Sequence, residues 1–212
     1  MPTSLPPSNI VGVILAGGLS RRMQNQNKCS IKLSGKPLLE HVLARFTPQC
    51  DTTLINTNEQ TTRLKAYGLP LVEDSLSGFL GPLAGILSAM QWCNEHRPES
   101  QWLASVAVDT PFLPANLVAE LYQATQQQKP SSLACAYSNQ RMQPVNALWS
   151  IDLMDDLKQA LETEGIRQIK RWTARYSLAS VHFNSEPVDP FFNINRPEDL
   201  LQAEAYLKKY SI

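Results

Sequence analysis

The stretch that decides the fold is Ile10–Gly18, which reads IVGVILAGG. Its first six residues form an apolar run rich in β-branched side chains, which is typical of a strand buried on both faces. The run ends at the paired glycines Gly17 and Gly18, whose backbone can turn sharply and bring amide groups close to an anion. A buried strand followed by a glycine turn predicts a parallel sheet that binds a ligand beyond this strand.

The rest of the chain repeats this alternation of short apolar runs with segments of helical periodicity. The predicted strands are 10–15, 53–56, 69–72, 102–108, 133–137, 145–149 and 178–183. The predicted helices are 37–46, 59–67, 83–92, 115–127, 151–162, 166–174 and 197–209. This order predicts a single three-layer αβα domain over residues 1–212, with a flexible tail at 1–8. The sheet should be mainly parallel, and mixed because the two strands between 133 and 149 follow each other closely.

The composition excludes several classes of protein. Of the 212 residues, 43% are hydrophobic and 18% are charged, as in ordinary globular proteins. Nineteen basic and nineteen acidic side chains give a formal net charge of zero. The chain therefore lacks the excess of positive charge that is typical of proteins that bind duplex nucleic acid or anionic membranes. No apolar run approaches the ~18 residues of a membrane helix, and the first ten residues lack the features of a secretory signal. We therefore expect a cytoplasmic protein with neither a nucleic acid nor a membrane partner.

Neither the cysteines nor the histidines are spaced as metal ligands. They are Cys29, Cys50, Cys93 and Cys135, and His41, His96 and His182. We expect the cysteines to be reduced thiols, because a chain of this size needs no disulfides. The histidines are expected to have structural or surface roles.

Polar and charged residues follow the predicted strands, at the edge where sheets of this kind bind ligands. Asn56 ends the second strand, Asp74 follows the third and Asp109 follows the fourth. A carboxylate such as Asp109 can hold Mg²⁺ over phosphate oxygens, although it could equally cap the next helix. Together with Lys28 after the glycine turn, these residues describe a nucleoside triphosphate site; the glycines alone would indicate no more than a tight turn.

The two common nucleotide-binding motifs are absent. A P-loop, GxxxxGK[ST], would need glycine at Ser30 and a hydroxyl residue where Pro37 follows Gly35 and Lys36. The dinucleotide pattern GxGxxG does not occur either. The loop GPLAG at 81–85 either offers amide groups to a base or ribose or simply begins the following helix. The predicted site therefore binds a nucleotide without a P-loop.

Several segments together carry a resemblance to a known family. LAGGLSRRM at 15–23, with Lys28 and SGKPLLEHVL at 34–43, resembles the signature loop of sugar-phosphate-type nucleotidyltransferases. The remaining segments are LINTN at 54–58, VEDSLSGFLGPLAGILSAM at 72–90, VDTPFLP at 108–114 and FFNINRPEDL at 191–200. In this order, over about residues 10–205, the set is similar to the molybdenum cofactor guanylyltransferases.

The resemblance implies a Rossmann-like nucleotidyltransferase fold and a reaction. GMP would pass from GTP to the terminal phosphate of molybdopterin, with release of pyrophosphate and with Mg²⁺ as cofactor. The implied catalytic residues are Arg22 and Lys28, which would neutralise phosphate charge, and Asp109, which would ligate the metal. The residues implied to bind GTP are Leu15, Ala16, Gly17, Gly18, Lys28, Asn56, Asp74 and Asp109.

Two departures from the family loop keep alternatives open. Gln24 stands where the family has glycine after Arg-Arg-Met, and Asn27 stands where it has aspartate before the lysine. A cytidylyltransferase acting on the same cofactor, or on a sugar or polyol phosphate, shares the loop, and the segments at 81–85 and 193–200 favour the guanylyl enzyme over it. A regulatory protein that binds the nucleotide without turnover is supported only by the two departures.

The acceptor side of the site is expected near the C-terminus. Asn193 and Asn195 alternate in a segment that, as a strand, would point both amides to one face, where they would help to bind the pterin. A basic helix face beside them either contributes cations or is a solvated surface; its residues are Arg167, Lys170, Arg171 and Arg175. We expect GTP and molybdopterin as substrates, a monomer, and transient contact with molybdoenzymes or their chaperones.

Overall fold

The computed structural model describes residues 9–17, 28–59, 62–78, 81–127 and 131–210. The predicted tail at residues 1–8 lies outside this part of the chain. So do four residues singled out above: Gly18, Arg22, Gln24 and Asn27.

The described residues form nine strands and seven α-helices. The strands are β1 (Ile10–Leu15), β2 (Lys32–Leu33), β3 (Lys36–Pro37), β4 (Thr52–Asn56), β5 (Leu71–Val72), β6 (Trp102–Ala107), β7 (Leu133–Ser138), β8 (Arg141–Ser150) and β9 (Leu178–His182). The helices are α1 (Leu38–Phe46), α2 (Thr62–Lys65), α3 (Pro82–His96), α4 (Leu117–Gln127), α5 (Met154–Glu162), α6 (Ile169–Thr173) and α7 (Pro197–Tyr210). Every predicted strand and helix has a counterpart. The β2–β3 hairpin was not predicted, because strands of two residues carry no periodicity.

Seven of the strands form one sheet in the order β5-β4-β1-β6-β8-β7-β9. β1 pairs in parallel with β4 and β6, whereas β8 runs antiparallel to both β6 and β7. This arrangement confirms the mainly parallel, mixed sheet. The chain builds outward from β1 to β5 and then crosses to β6 on the other side, so the strand order reverses beside β1. Ligands of open α/β sheets bind at the carboxyl ends of the strands at such a reversal.

Helices cover both faces of the sheet, as the three-layer prediction requires. The alternation of β1 explains this: Val11 and Val13 are buried in the core shared with α3 and α5, and Ile10 and Ile14 in the core shared with α1 and α4. α7 belongs to a third apolar cluster, in which Ile194 and Ala203 pack with Leu33 of β2. None of the helices in the described ranges is long and apolar enough to cross a membrane.

Candidate active site

Three strand ends meet at the edge of the sheet where its order reverses. The registers place Leu15 beside Asn56 on one side and beside Ala107 on the other. The backbone continues this contact past the strands, because Ala16 N–H donates to the Asn56 carbonyl over 2.9 Å and Val108 N–H donates to the Leu15 carbonyl over 3.2 Å. The sequence-predicted residues Leu15, Ala16, Asn56 and Asp109 are thereby brought together. The Ala16 amide and the Leu15 carbonyl are used within the sheet rather than offered to a ligand.

Lys28 and Asp109 form the charged centre of this edge. Lys28 begins a 3₁₀ turn, Lys28–Ser30, and its Nζ makes an ion pair with Asp109 Oδ2 although 81 residues separate the two in sequence. Lys28 Nζ also donates to Asn195 Oδ1 over 2.7 Å. The Asp109 side chain is 9% exposed. Such a nearly buried carboxylate needs a cation beside it.

The second oxygen of Asp109 suits a metal ion. Asp109 Oδ1 is buried and has no hydrogen-bond partner among the described residues. Within the same part of the chain, no group of three or more His, Cys, Asp or Glu side chains is arranged to hold a metal. Mg²⁺ at nucleotide sites is commonly held by one or two carboxylates, with phosphate oxygens and waters completing its shell. Asp109 therefore fits a divalent cation that binds together with phosphates rather than alone.

A second polar cluster lies on the α3 side of the edge. Asn56 Nδ2 donates to Asp74 Oδ1 over 3.0 Å, and Asn58 Nδ2 donates to Asp74 Oδ2 over 3.0 Å. The Asp74 amide donates back to Asn58 Oδ1 over 2.8 Å. Asn56 is 4% exposed and also donates to the Val72 carbonyl. The structure thus joins the two predicted residues Asn56 and Asp74 in one network.

Sequence reasoning missed two residues of this region. Asn58 stands two positions after Asn56, a spacing that could have suggested a shared face. Asp199 accepts hydrogen bonds from the amides of Asn195 and Arg196, both over 2.9 Å. An acid two residues after the proline that begins a helix is a recognisable capping signal. Asp199 therefore holds in place the residue that contacts Lys28.

The segment around Asn193 and Asn195 is not a strand, so the prediction that both amides share a strand face is wrong. Ile194 N–H donates to the Asp109 carbonyl over 2.9 Å, which ties the segment to the end of β6 instead of to a neighbouring strand. Asn195 is half-buried against Lys28, whereas Asn193 is exposed. The structure brings only Asn195 into contact with the charged centre.

The predicted basic helix face is not formed as expected. α6 contains Lys170 and Arg171, but Arg167 precedes it and Arg175 follows it. Arg175 is engaged by Asp156 and Glu164 in ion pairs. The four cations therefore do not share one helix face.

The cysteines agree with the sequence prediction of reduced thiols. All four remain thiols. Burial raises the pKa of Cys29 to about 11, and burial likewise raises the pKa of Cys135 to about 12. Thiols with such pKa values are poor nucleophiles at neutral pH, because the thiolate is the reactive form.

A mixed α/β sheet with a lysine–aspartate pair where its strand order reverses, and without a P-loop in the sequence, defines a nucleotide-binding protein of the nucleotidyltransferase class. Comparison with known proteins narrows this class. The chain belongs to the family described as the MobA-like NTP transferase domain, whose family model matches residues 12–179.

Relatives match almost the whole chain. It is 45% identical to the molybdenum cofactor guanylyltransferase of Nitrobacter hamburgensis over 204 residues, which cover 96% of each protein. It is 46% identical to the protein of the same name from Bradyrhizobium, with 95% of each covered.

Solved structures agree with the fold. The molybdopterin-guanine dinucleotide biosynthesis protein A from Archaeoglobus fulgidus superimposes with a TM-score of 0.70 at 25% identity, covering 94% of this chain and 99% of the other. A 4-diphosphocytidyl-2C-methyl-D-erythritol synthase from Anaerococcus prevotii gives a TM-score of 0.72 at 14% identity, with 95% and 97% covered. The second likeness supports the fold alone.

Proposed function

We propose that this protein transfers GMP from GTP to the terminal phosphate of molybdopterin and releases pyrophosphate. The observation that carries the proposal is the Lys28–Asp109 pair at the sheet edge, in a chain 45% identical to a molybdenum cofactor guanylyltransferase over 96% of its length. The nucleotide phosphates would lie over this pair. The base or ribose would lie toward Asn56 and Asp74, because these residues flank β1 on the other side.

The reaction needs no nucleophile from the protein. An oxygen of the acceptor phosphate attacks the α-phosphorus in line, and the bond from that phosphorus to the bridging oxygen breaks. The departing pyrophosphate takes the electron pair, so catalysis depends on positioning and on neutralising charge. Lys28, held between Asp109 and Asn195, can present its ammonium group to the phosphates. We assign Arg22 the same role from the sequence alone.

Mg²⁺ is the metal that we propose for Asp109. Held by this carboxylate and the phosphate oxygens, it would supply neutralisation of the triphosphate charge. The cytoplasmic location, the monomeric state and the transient contact with molybdoenzymes stay predictions from the sequence.

Asp74 favours guanine over cytosine. Its two oxygens accept from Asn56 and Asn58, and each carboxylate oxygen has a further lone pair. Guanine presents adjacent N–H donors at N1 and N2, which a carboxylate can accept together, whereas cytosine presents one amino group beside an acceptor. A cytidylyltransferase remains the second candidate because the nucleotide loop is shared.

The decisive experiment measures pyrophosphate release and transfer to molybdopterin with GTP, CTP and UTP, each with Mg²⁺. We expect transfer from GTP, and a loss of several orders of magnitude in Asp109→Asn with little change in thermal melting, since the neutral amide no longer binds the metal. Asp155→Asn is the matched control, because Asp155 is an exposed acid on α5. Preference for CTP would make the protein a cytidylyltransferase. Binding of GTP without turnover in the wild type would favour a regulatory protein, and normal turnover in Asp109→Asn would overturn the metal assignment.

A further inference from the structure

A cavity of about 650 Å³ opens beside β7, β8 and α6, on the face of the sheet that α3 and α5 cover. Two cations and three larger apolar or aromatic side chains contribute to its walls: Arg141, Lys170, Tyr137, Met142 and Tyr176. The volume is within the range of sites that hold small organic ligands. None of these residues takes part in the contacts around Lys28, Asp109, Asn56 or Asp74 described above.

The strand order places this cavity on the β8 side of the charged centre. The last pair between β6 and β8 joins Ser105 to Ala147, and β8 continues beyond it through residues 141–146. That stretch therefore extends past the carboxyl end of β6, where Asp109 lies. Along the edge of the sheet, Asn56 of β4, the end of β1, Asp109 after β6 and the cavity follow in that order.

This order matches the geometry of in-line transfer. If the base lies toward Asn56 and the α-phosphate lies near Asp109, the acceptor that attacks this phosphate approaches from the β8 side of β6. Gly81, which precedes α3, lies within reach of the segment before α6, since a Cβ built on it would be 3.8 Å from the Arg167 carbonyl. The first turn of α3 therefore approaches both the segment before α6, through Gly81, and Asn56, through Gly85.

The cations of the cavity are available to an anion. Arg141 and Lys170 are exposed, and neither forms an ion pair within the described part of the chain. Arg175, a few residues from Lys170, is instead paired with Asp156 and Glu164. The ring of Tyr137, whose centroid is 5.1 Å from that of His182, gives the cavity a flat aromatic wall. Such a wall with two cations suits a planar heterocycle that carries negative charge.

We propose that this cavity binds the pterin end of the acceptor, with Arg141 and Lys170 holding its anionic groups. The inference rests on the proposed function, since it assigns the second substrate of that reaction. In this arrangement Asn195 and Lys28 lie at the phosphates of the nucleotide. The pterin ring of the acceptor lies between β7, β8 and α6.

The test compares Arg141→Ala/Lys170→Ala with wild type in three measurements. These are the KM for molybdopterin in GMP transfer, the Kd of GTP, and the Kd of pterin-6-carboxylate followed by its fluorescence. We expect the KM and the pterin Kd to rise about tenfold or more, because two charge-assisted contacts are lost. The GTP Kd should change less than twofold. Arg171→Ala is the matched control, since Arg171 is an exposed cation on α6 that does not line the cavity.

The outcomes separate this inference from the proposed function. An unchanged KM and an unchanged pterin Kd in the double variant would overturn the acceptor site while leaving guanylyl transfer intact. A fall in GTP affinity in that variant would also overturn it, because the cavity would then belong to the nucleotide. If the wild type transfers no GMP yet binds the pterin probe through Arg141 and Lys170, the proposed reaction fails and the pterin site stands.

Discussion

Gly85 shows how one missing side chain shapes the nucleotide site. It lies on α3 directly over Asn56, and a Cβ placed there would be 2.2 Å from Asn56 Oδ1 and 2.9 Å from Leu15 Cδ2. Asn56 cannot simply turn away, because it is buried and its Nδ2 donates to both Val72 and Asp74. Glycine is therefore the residue that lets α3 and the Asn56–Asp74 contact exist together.

Gly85→Ala is accordingly expected to weaken GTP binding by about tenfold and to lower the free energy of unfolding by about 1–3 kcal/mol, as overpacking does. In an ordinary helix interior the same change would stabilise by about 1 kcal/mol, so the sign of the effect is diagnostic. Calorimetric titration with GTP and urea unfolding measure the two quantities. In an Asn56→Ala background the added methyl group should cost much less, and equal costs in both backgrounds would contradict the steric explanation.

At the scale of elements, the start of α7 is part of the active site. Asp199 in its first turn accepts from the amides of Asn195 and Arg196, and Asn195 Oδ1 in turn accepts from Lys28. The preceding Ile194 amide donates to the Asp109 carbonyl. The helix start thus holds a loop from the end of the chain against residues that arrive from β1 and β6.

We expect Asp199→Ala to lower kcat for GMP transfer several-fold and to destabilise the protein by about 1 kcal/mol, the usual value of a lost helix cap. The reason for the kinetic effect is that Asn195 loses its anchor and orients Lys28 less well. Asp199→Asn should recover most of both losses, since its carbonyl oxygen can still accept. Glu198→Ala serves as the control, because Glu198 is an exposed acid in the same turn. A full-rate Asp199→Ala enzyme would show that the cap only stabilises α7.

For the molecule as a whole, Asp156 links α5 to the α6 region that forms one wall of the cavity. Its carboxylate accepts from Trp172 Nε1 over 2.7 Å, from the Tyr176 hydroxyl and from Arg175. Partial burial would raise the pKa of Asp156, but the hydrogen bonds from Tyr176 and Trp172, together with the positive charge and the hydrogen bond of Arg175, outweigh it and lower the pKa below the usual value. Burial and the bond to Asp156 raise the pKa of Tyr176, so this hydroxyl stays a donor.

A carboxyl group whose pKa is lower in the folded chain than in the unfolded chain stabilises the fold when it is ionised. This stabilisation is complete at pH values above the pKa of the unfolded chain, which is near 4 for aspartate. It is lost as the pH falls through the pKa of the folded chain. Asp156→Asn should therefore lower the free energy of unfolding near pH 7 by about 1 kcal/mol, allowing for solvent screening at a side chain that is 40% exposed. The difference from wild type should shrink below pH 4. Urea unfolding from pH 7 to pH 3 measures it, with Asp155→Asn as the control, and a difference independent of pH would contradict the assignment.

Much of this protein could be predicted from local patterns in its sequence. Apolar runs such as Ile10–Leu15 and the helical periodicity between them depend on neighbouring residues only, so the order of strands and helices follows from the sequence. Asp109 and Asn56 could be selected as site residues because the ends of parallel strands share one edge of a sheet. The start of α7 at Pro197 was likewise predictable, since proline suits a first helical turn.

The contacts between distant parts of the chain were decided only by the tertiary structure. The sequence alone does not show that Lys28 contacts Asp109. Nor does it show that Lys28 also contacts Asn195, which lies 167 residues after it. The shared face of Asn193 and Asn195 would have required a strand conformation there, which is absent because the backbone amides of this segment bond to Asp109 and Asp199. Alternation of residues in the sequence cannot show which partner a backbone amide finds. The ion pairs of Arg175 with Asp156 and Glu164 could not be predicted from the sequence either. Hydrophobic periodicity records which face of an element is buried, whereas the partner of a buried charge is selected by the packing of the whole chain.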